Sequence, residues 1–385
     1  MVYLLFNSQF ENKVTFKINT TLNENTMCSL HKVLIFGEAN LYNTLNQEVI
    51  FMPDLKNIKL VSSEISGLWD SYMSDSLVIC VLKQFLNNVE DNDIQTLLQH
   101  TLNLSIQHIS IITDIFNQEG LPIPQGFTDK DVNINSPRLF SDTFYAAYIS
   151  FIARVGMHDY TLTLNQIARS DIRKYFSKCI TEYIGLYNKA AELRLSKGIF
   201  IRAPHIEVPK EVQFVGNQSF IFNIFKKKRA LLAREITHIF SLISADIIGD
   251  ALATGFSQVS RDKKISAYFL EGKHLGQEII AELTSILVDE DIPIPATSES
   301  FVTDSTESPF SEKLMLYHAL IMTAAGVSSK GAAIAQSMRA DLEGMYTKLI
   351  AKIMKYTKDG IDIMNDNKFL EQPPQAISHE KLVKI

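Results

Sequence analysis

Apolar residues recur at helical spacing through most of the chain. Ile65, Leu68, Trp69, Tyr72, Met73, Ile79, Leu82 and Leu86 share one face at i, i+3, i+4, i+7 spacing, which predicts a first helix. A second is expected over residues 93–119, with Ile94, Leu98, Leu102, Ile109, Ile112 and Phe116 on its apolar face and Gly120 then Pro122 as its stop. A third begins near Ser141. A fourth begins near Ser170, where a serine cap precedes the first-turn acid Asp171, and runs to Lys197 with Gly198 as its stop.

Connection lengths set the topology. The links at residues 87–92 and around Ser170 are short, so helices one and two form an antiparallel pair, as do three and four. Residues 120–137 are polar and punctuated by proline, and roughly 17 extended residues reach about 55 Å. Helix two is only about 40 Å long. The link is therefore long enough to run the length of the bundle, the single crossover of ferritin-like four-helix folds.

The pattern occurs twice. Residues 57–215 and 229–385 superimpose in sequence at a nearly constant offset: Glu64-Ile65 on Glu235-Ile236, Pro122-Ile123-Pro124 on Pro293-Ile294-Pro295, and, after one deletion, Phe140-Ser141 on Phe310-Ser311. Gly156 then matches Gly326, Arg169-x-Asp171 matches Arg339-x-Asp341, and Pro204 matches Pro374. A unit of this length is a domain rather than a solenoid repeat, so the chain reads as a tandem duplication with a second crossover at residues 291–309. The expected fold is all-α, two tandem ferritin-like four-helix bundles. Residues 1–51 have no counterpart in either copy and form an N-terminal extension outside the pattern; Met52 stands directly before the repeat and is the expected translation start. The basic run at residues 226–229 reads as a solvated linker and helix start.

Composition narrows the function. Only 16 Gly and 11 Pro in 385 residues favour long helices over turn-rich β structure. A formal net charge of −6 gives no electropositive excess for a phosphate backbone, so nucleic acid is not expected. Three cysteines, Cys28, Cys80 and Cys179, without CxxC spacing fit reduced thiols and a cytoplasmic location. The most apolar stretch, residues 314–327, carries His318 and has polar flanks, so no membrane span is expected, and the N-terminus lacks the basic region of a signal peptide.

Candidate chemistry is sparse. Ferritin-like bundles can hold two metals with Glu and Glu-x-x-His ligands. Glu235-x-x-His238 and Glu271-x-x-His274 have this spacing, and His318 on helix three of copy 2 is a further donor. Both pairs sit on helices one and two of copy 2, and copy 1 has Gly67 and Asn103 in place of those histidines. Solvent-facing or hydrogen-bonded histidines are the reading; no metal or other cofactor is assigned.

The crossover topology makes helices one and four parallel, so Glu64 comes to the same bundle end as Arg169 and Asp171, and Glu235 to that of Arg339 and Asp341. These six are read as structural ion networks that fix helix register, with anion binding by the arginine as the functional alternative. Helix three of copy 2 is rich in small residues, including Ala319, Ala325, Gly326 and Gly331, which suits close helix packing or self-association. Trp69, Phe85 and Phe116 read as core rather than a small-molecule pocket. There is no Gly-rich phosphate loop, GxSxG or HExxH, and no catalytic residue is assigned.

The stretches SSEISGLWDSYMSDS, GLPIPQGFTDKDVN, PRLFSDTF, ARSDIRKYF, SKGIF, GFSQVS, SPFSEKLM and MRADLEGMY resemble the domain-of-unknown-function 3231 family of spore-forming bacteria. The resemblance spans both copies. It implies two ferritin-like bundles and no defined activity, and some relatives carry a provisional spore-coat label. The expected function is a non-enzymatic, structural or partner-binding protein, cytoplasmic or spore-associated, which takes protein partners or self-associates. The rival class is a metal-binding oxidoreductase or storage module using copy 2.

Overall fold

The computed structural model describes residues 58–215, 229–295 and 300–379. The extension at residues 1–51 and most of the basic run, residues 226–228, lie outside them. Among the described residues there are eight α-helices and no strand: α1 Ser62–Asn88, α2 Asn92–Glu119, α3 Asp142–Leu164, α4 Ser170–Ser196, α5 Ala233–Val259, α6 Lys263–Val288, α7 Glu312–Gln336 and α8 Ala340–Asp366. Helices α1–α4 form one four-helix bundle and α5–α8 the second, each built from two closely packed antiparallel pairs.

Local chemistry explains the boundaries. Asp91 caps α2 by accepting from the backbone N–H groups of Asp93 and Ile94, and α2 stops at Gly120, whose φ of 65° needs no Cβ. Ser141 and Ser311 cap α3 and α7 in the same way, each accepting from the amide three residues on. The start of α4 differs from the expected serine cap. Ser170 is already helical and Arg169 is the cap position, with no side-chain cap of its own. The carboxylate of Glu64, reaching across from α1, accepts from Ala168 N at 3.2 Å and Arg169 N at 2.9 Å, so a tertiary contact does the work of a local cap.

The crossovers run from one bundle end to the other. Gly120 ends α2 beside the start of α1, whereas Asp142 at the start of α3 accepts from the amides of Glu90 and Asp91 in the opposite α1–α2 turn. Glu312 repeats this in copy 2 by accepting from Arg261 N and Asp262 N. The two crossovers also touch each other. Isolated antiparallel bridges join Val132 to Phe310 and Phe140 to Val302, and these residues exchange places under the repeat offset. Ser141 N donates to Phe301 O at 3.0 Å and Ser311 N to Asp131 O at 2.9 Å, again an exchanged pair. The two copies thus pack about a local pseudo-twofold, as the halves of an isologous dimer would.

One continuous core crosses that interface. Phe85, Phe140, Phe144, Tyr145 and Tyr148 form an aromatic cluster at 0–1% exposure, which continues through Phe256 and Phe301 of copy 2. Trp69, Phe85 and Phe116 all belong to this core. In copy 2 the small residues Ala319, Ala325 and Gly326 leave a mostly apolar cavity of about 110 Å³ among α5, α6, α7 and α8. Among the described residues one helix, Ala233–Val259, is long and apolar enough to cross a membrane by length and composition; here it packs as a bundle helix against α6 and α7.

Candidate metal centre in the first bundle

The histidines singled out in copy 2 do not converge. Glu271 and His274 are exposed on α6, and His238 lines a cleft beside Arg154 and His158. Glu235 is buried and committed at the bundle end, where its carboxylate accepts from Arg229, Leu232 N and Met338 N. His318 is 2% exposed and has Tyr148 of copy 1 as partner.

The end networks do assemble, with different partners from those expected. Arg169 makes a forked pair with Asp171, at 3.1 and 2.7 Å, and a third ionic contact at 2.6 Å with Glu119 at the end of α2. Its remaining Nη1 proton goes to Ile58 O. Glu64 meets Arg169 only through the backbone amide. Copy 2 repeats the arrangement: Arg339 forks onto Asp341, pairs with Glu290 and donates to Arg229 O. Glu119 and Glu290 sit at matching repeat positions and were not anticipated. Four of the five N–H donors of the Arg169 guanidinium are directed within the protein, which suits a fastener more than an open anion site.

A different cluster lies in the middle of the first bundle. Asp75 on α1, His108 on α2, and Cys179 with Glu182 on α4 meet around one imidazole that is fully buried. His108 Nδ1 is 3.2 Å from Asp75 Oδ2, and Nε2 faces Glu182 Oε2 at 2.9 Å and Cys179 Sγ at 3.6 Å. Among the described residues, His108, Cys179 and Glu182 form the group of three metal-capable side chains whose donor atoms lie within 4.8 Å of one another. Asp75 is 1% exposed, and its second oxygen, Oδ1, has no hydrogen-bond partner.

The surroundings fix the imidazole. Tyr183 stacks on its face, with ring centroids 6.1 Å apart, while Tyr160 and Tyr175 meet it edge-on. Burial raises the pKa of all three phenols, so they stay protonated. Burial alone would lower the His108 pKa. Hydrogen bonds to Asp75 and Cys179 outweigh that and raise it to about 11. Without a metal, His108 is thus an imidazolium held between carboxylates.

The repeat supplies an internal comparison. At the positions of Asp75, His108, Tyr160, Cys179 and Glu182, copy 2 has Asp246, Ile279, Lys330, Leu349 and Lys352. Lys330 is fully buried and pairs with both Asp246 oxygens at 3.1 Å, and Lys352 turns outward to Glu278. The same backbone therefore folds around an ordinary ion pair and apolar residues. The imidazole–thiol–carboxylate set is particular to copy 1.

Sequence reasoning missed this group because its members are far apart in the chain and none forms a Glu-x-x-His pair. Two local signals were present. His108 sits on the buried stripe between Leu104 and Ile112, where an apolar residue is the norm, and Cys179 and Glu182 share one helix face at i, i+3.

Comparison with known proteins identifies relatives without an assigned activity. The family described as "Protein of unknown function (DUF3231)" matches residues 50–212 and again residues 219–382. A crystal structure of a Bacillus halodurans protein described as a "putative spore coat protein" matches at 19% identity and a TM-score of 0.36, covering 40% of this chain and 99% of its own. No curated protein matches the chain.

Proposed function

The chain belongs to the DUF3231 family, which carries no assigned activity, and we propose that its first bundle binds one soft divalent transition metal, zinc being the natural choice, through His108, Cys179 and Glu182. The supporting observation is the donor geometry around one buried imidazole. Metal–nitrogen and metal–sulfur bonds of about 2.05 and 2.3 Å at a tetrahedral angle set the two donors about 3.6 Å apart. His108 Nε2 and Cys179 Sγ are 3.6 Å apart. Asp75 at Nδ1 stands where metal-binding histidines usually find an orienting carboxylate, which fixes the tautomer and strengthens the Nε2 donor. Imidazole, thiolate and carboxylate together favour zinc over magnesium or calcium.

This reading moves the metal alternative from copy 2 to copy 1. Copy 2 keeps the structural or partner-binding role expected from the sequence, and its Lys330–Asp246 pair fills the place of the site.

The test is metal content and spectroscopy on the full chain. After loading with cobalt(II), about one equivalent should remain bound and give a near-ultraviolet thiolate charge-transfer band. Cys179→Ser should abolish the band, His108→Gln should lower retention at least tenfold, and His238→Ala should change neither. Wild-type protein that retains no metal under these conditions, or a band that persists in Cys179→Ser, would leave the cluster as a buried ion triad only.

A further inference from the structure

Two arginines that line one cleft outside the metal cluster lack acidic partners among the described residues. Arg154 on α3 and Arg194 on α4 both line a cleft of about 220 Å³ between the first bundle and α5. Among the described residues neither forms an ion pair. Arg154 Nη1 donates to Ser241 Oγ at 3.3 Å, Arg194 Nη2 donates to Ile199 O at 3.4 Å, and Arg194 Nε is buried with no partner. The Arg194 guanidinium also lies over the Phe200 ring, 5.2 Å from its centroid. Among the described residues no aspartate or glutamate lines this cleft. The neighbouring acid Asp159 lines the adjacent cleft and is held by His158 Nδ1 at 3.0 Å.

This arrangement is costly without a ligand. Burial lowers the pKa of both guanidiniums, and the Arg154 charge lowers that of Arg194 further, with Tyr187 opposing the shift at each. Two like charges near each other in a partly dry cleft are unfavourable unless an anion joins them. The fold itself does not need them, since copy 2 has Ala324 and Met364 at the equivalent positions.

We infer that this cleft binds a phosphate monoester with an apolar body, its oxyanion held between Arg154 and Arg194 and its organic part against Phe200, Phe240 and Ile248. The forked guanidinium matches phosphate oxygens, and two forks give the recognition a single charge would not. Ser241 already accepts from Arg154, so its own hydroxyl proton is left for a phosphate oxygen. Tyr187 brings a phenol to the same wall. By contrast Ser150, Thr237 and Ser244 donate to helix carbonyls and shape the cleft rather than bind. The lining is otherwise apolar, which distinguishes an ester from free phosphate. This inference is independent of the metal centre.

The test is calorimetry on the full chain with phenyl phosphate, inorganic phosphate and phenol, each against chloride at matched ionic strength. Phenyl phosphate is expected to bind at least tenfold tighter than inorganic phosphate, and phenol not measurably. Arg154→Gln and Arg194→Gln should each weaken phenyl phosphate at least tenfold. Because each removes a half-buried cation that has no acidic partner among the described residues, both variants should melt at or near the wild-type temperature without ligand. Ser241→Ala and Tyr187→Phe keep both charges and should weaken binding severalfold, so the site remains testable if an arginine variant does not fold. Inorganic phosphate binding as tightly as the ester would overturn the ligand class. Affinity for phenyl phosphate unchanged in the arginine variants, or in both charge-preserving variants, would overturn the site.

Discussion

The Tyr148 hydroxyl lies 3.1 Å from His318 Nε2, and the two residues occupy equivalent positions of the two copies. Equivalent positions can meet only beside the pseudo-twofold, so this pair marks the centre of the copy–copy interface. Both side chains are nearly fully buried, and burial lowers the His318 pKa to about 4.

The first prediction follows from that neutral histidine. Its folded pKa is below the ordinary 6.5, so its contribution is complete above about pH 6.5 and is lost as pH falls toward 4. A shift of this size corresponds to about 3 kcal/mol at most. Denaturant unfolding across pH 7 to 4 should show this loss, and His318→Phe should flatten it. An unaltered acid slope in the variant would place the sensitivity elsewhere.

His108 has the opposite sign. Its folded pKa is raised to about 11, so in metal-free protein its stabilisation is complete below about pH 6.5 and disappears as pH climbs through 11. Metal must displace this proton, so metal affinity should rise with pH over the same window. Chelator-treated protein should therefore lose stability from neutral to alkaline pH while cobalt binding tightens. Affinity that is flat with pH would show that the imidazole is not the ligand.

Arg169 is 5% exposed and holds the start of α4 to the end of α2 through Glu119. Arg169→Ala leaves Glu119 and Asp171 without their cation and should cost about 3–5 kcal/mol by chemical denaturation. A loss below about 1 kcal/mol would show that the network is solvent-compensated.

Gly156 on α3 lets the Tyr183 ring approach closely: a Cβ there would stand 2.3 Å from Tyr183 Cε1. Gly156→Ala must push aside the ring that stacks on His108, and it should cost about 1–3 kcal/mol. It should also shift the cobalt spectrum without removing bound metal. Wild-type stability and spectrum together would show that the ring moves at no cost.

The sequence by itself determined four helices in each copy, two of their stops, the duplication and the crossovers, because each leaves a local trace. Burial of one helix face writes a 3.6-residue period, a left-handed stop favours glycine at 120 and 198, and a long link between short ones specifies the crossover. It also placed Arg169 beside Asp171, which are two residues apart, and brought Glu64 to the same end because parallel helices share their starts. It did not distinguish a guanidinium contact from a backbone one, so Glu119 took the ionic role expected of Glu64. Only the tertiary structure decided which polar residues on buried faces point at one another. Asp75, His108 and Cys179 come from three helices, and a helical period records that a face is buried, not what lies across from it. The same holds for Arg154 and Arg194, whose meaning depends on no carboxylate among the described residues lining their cleft.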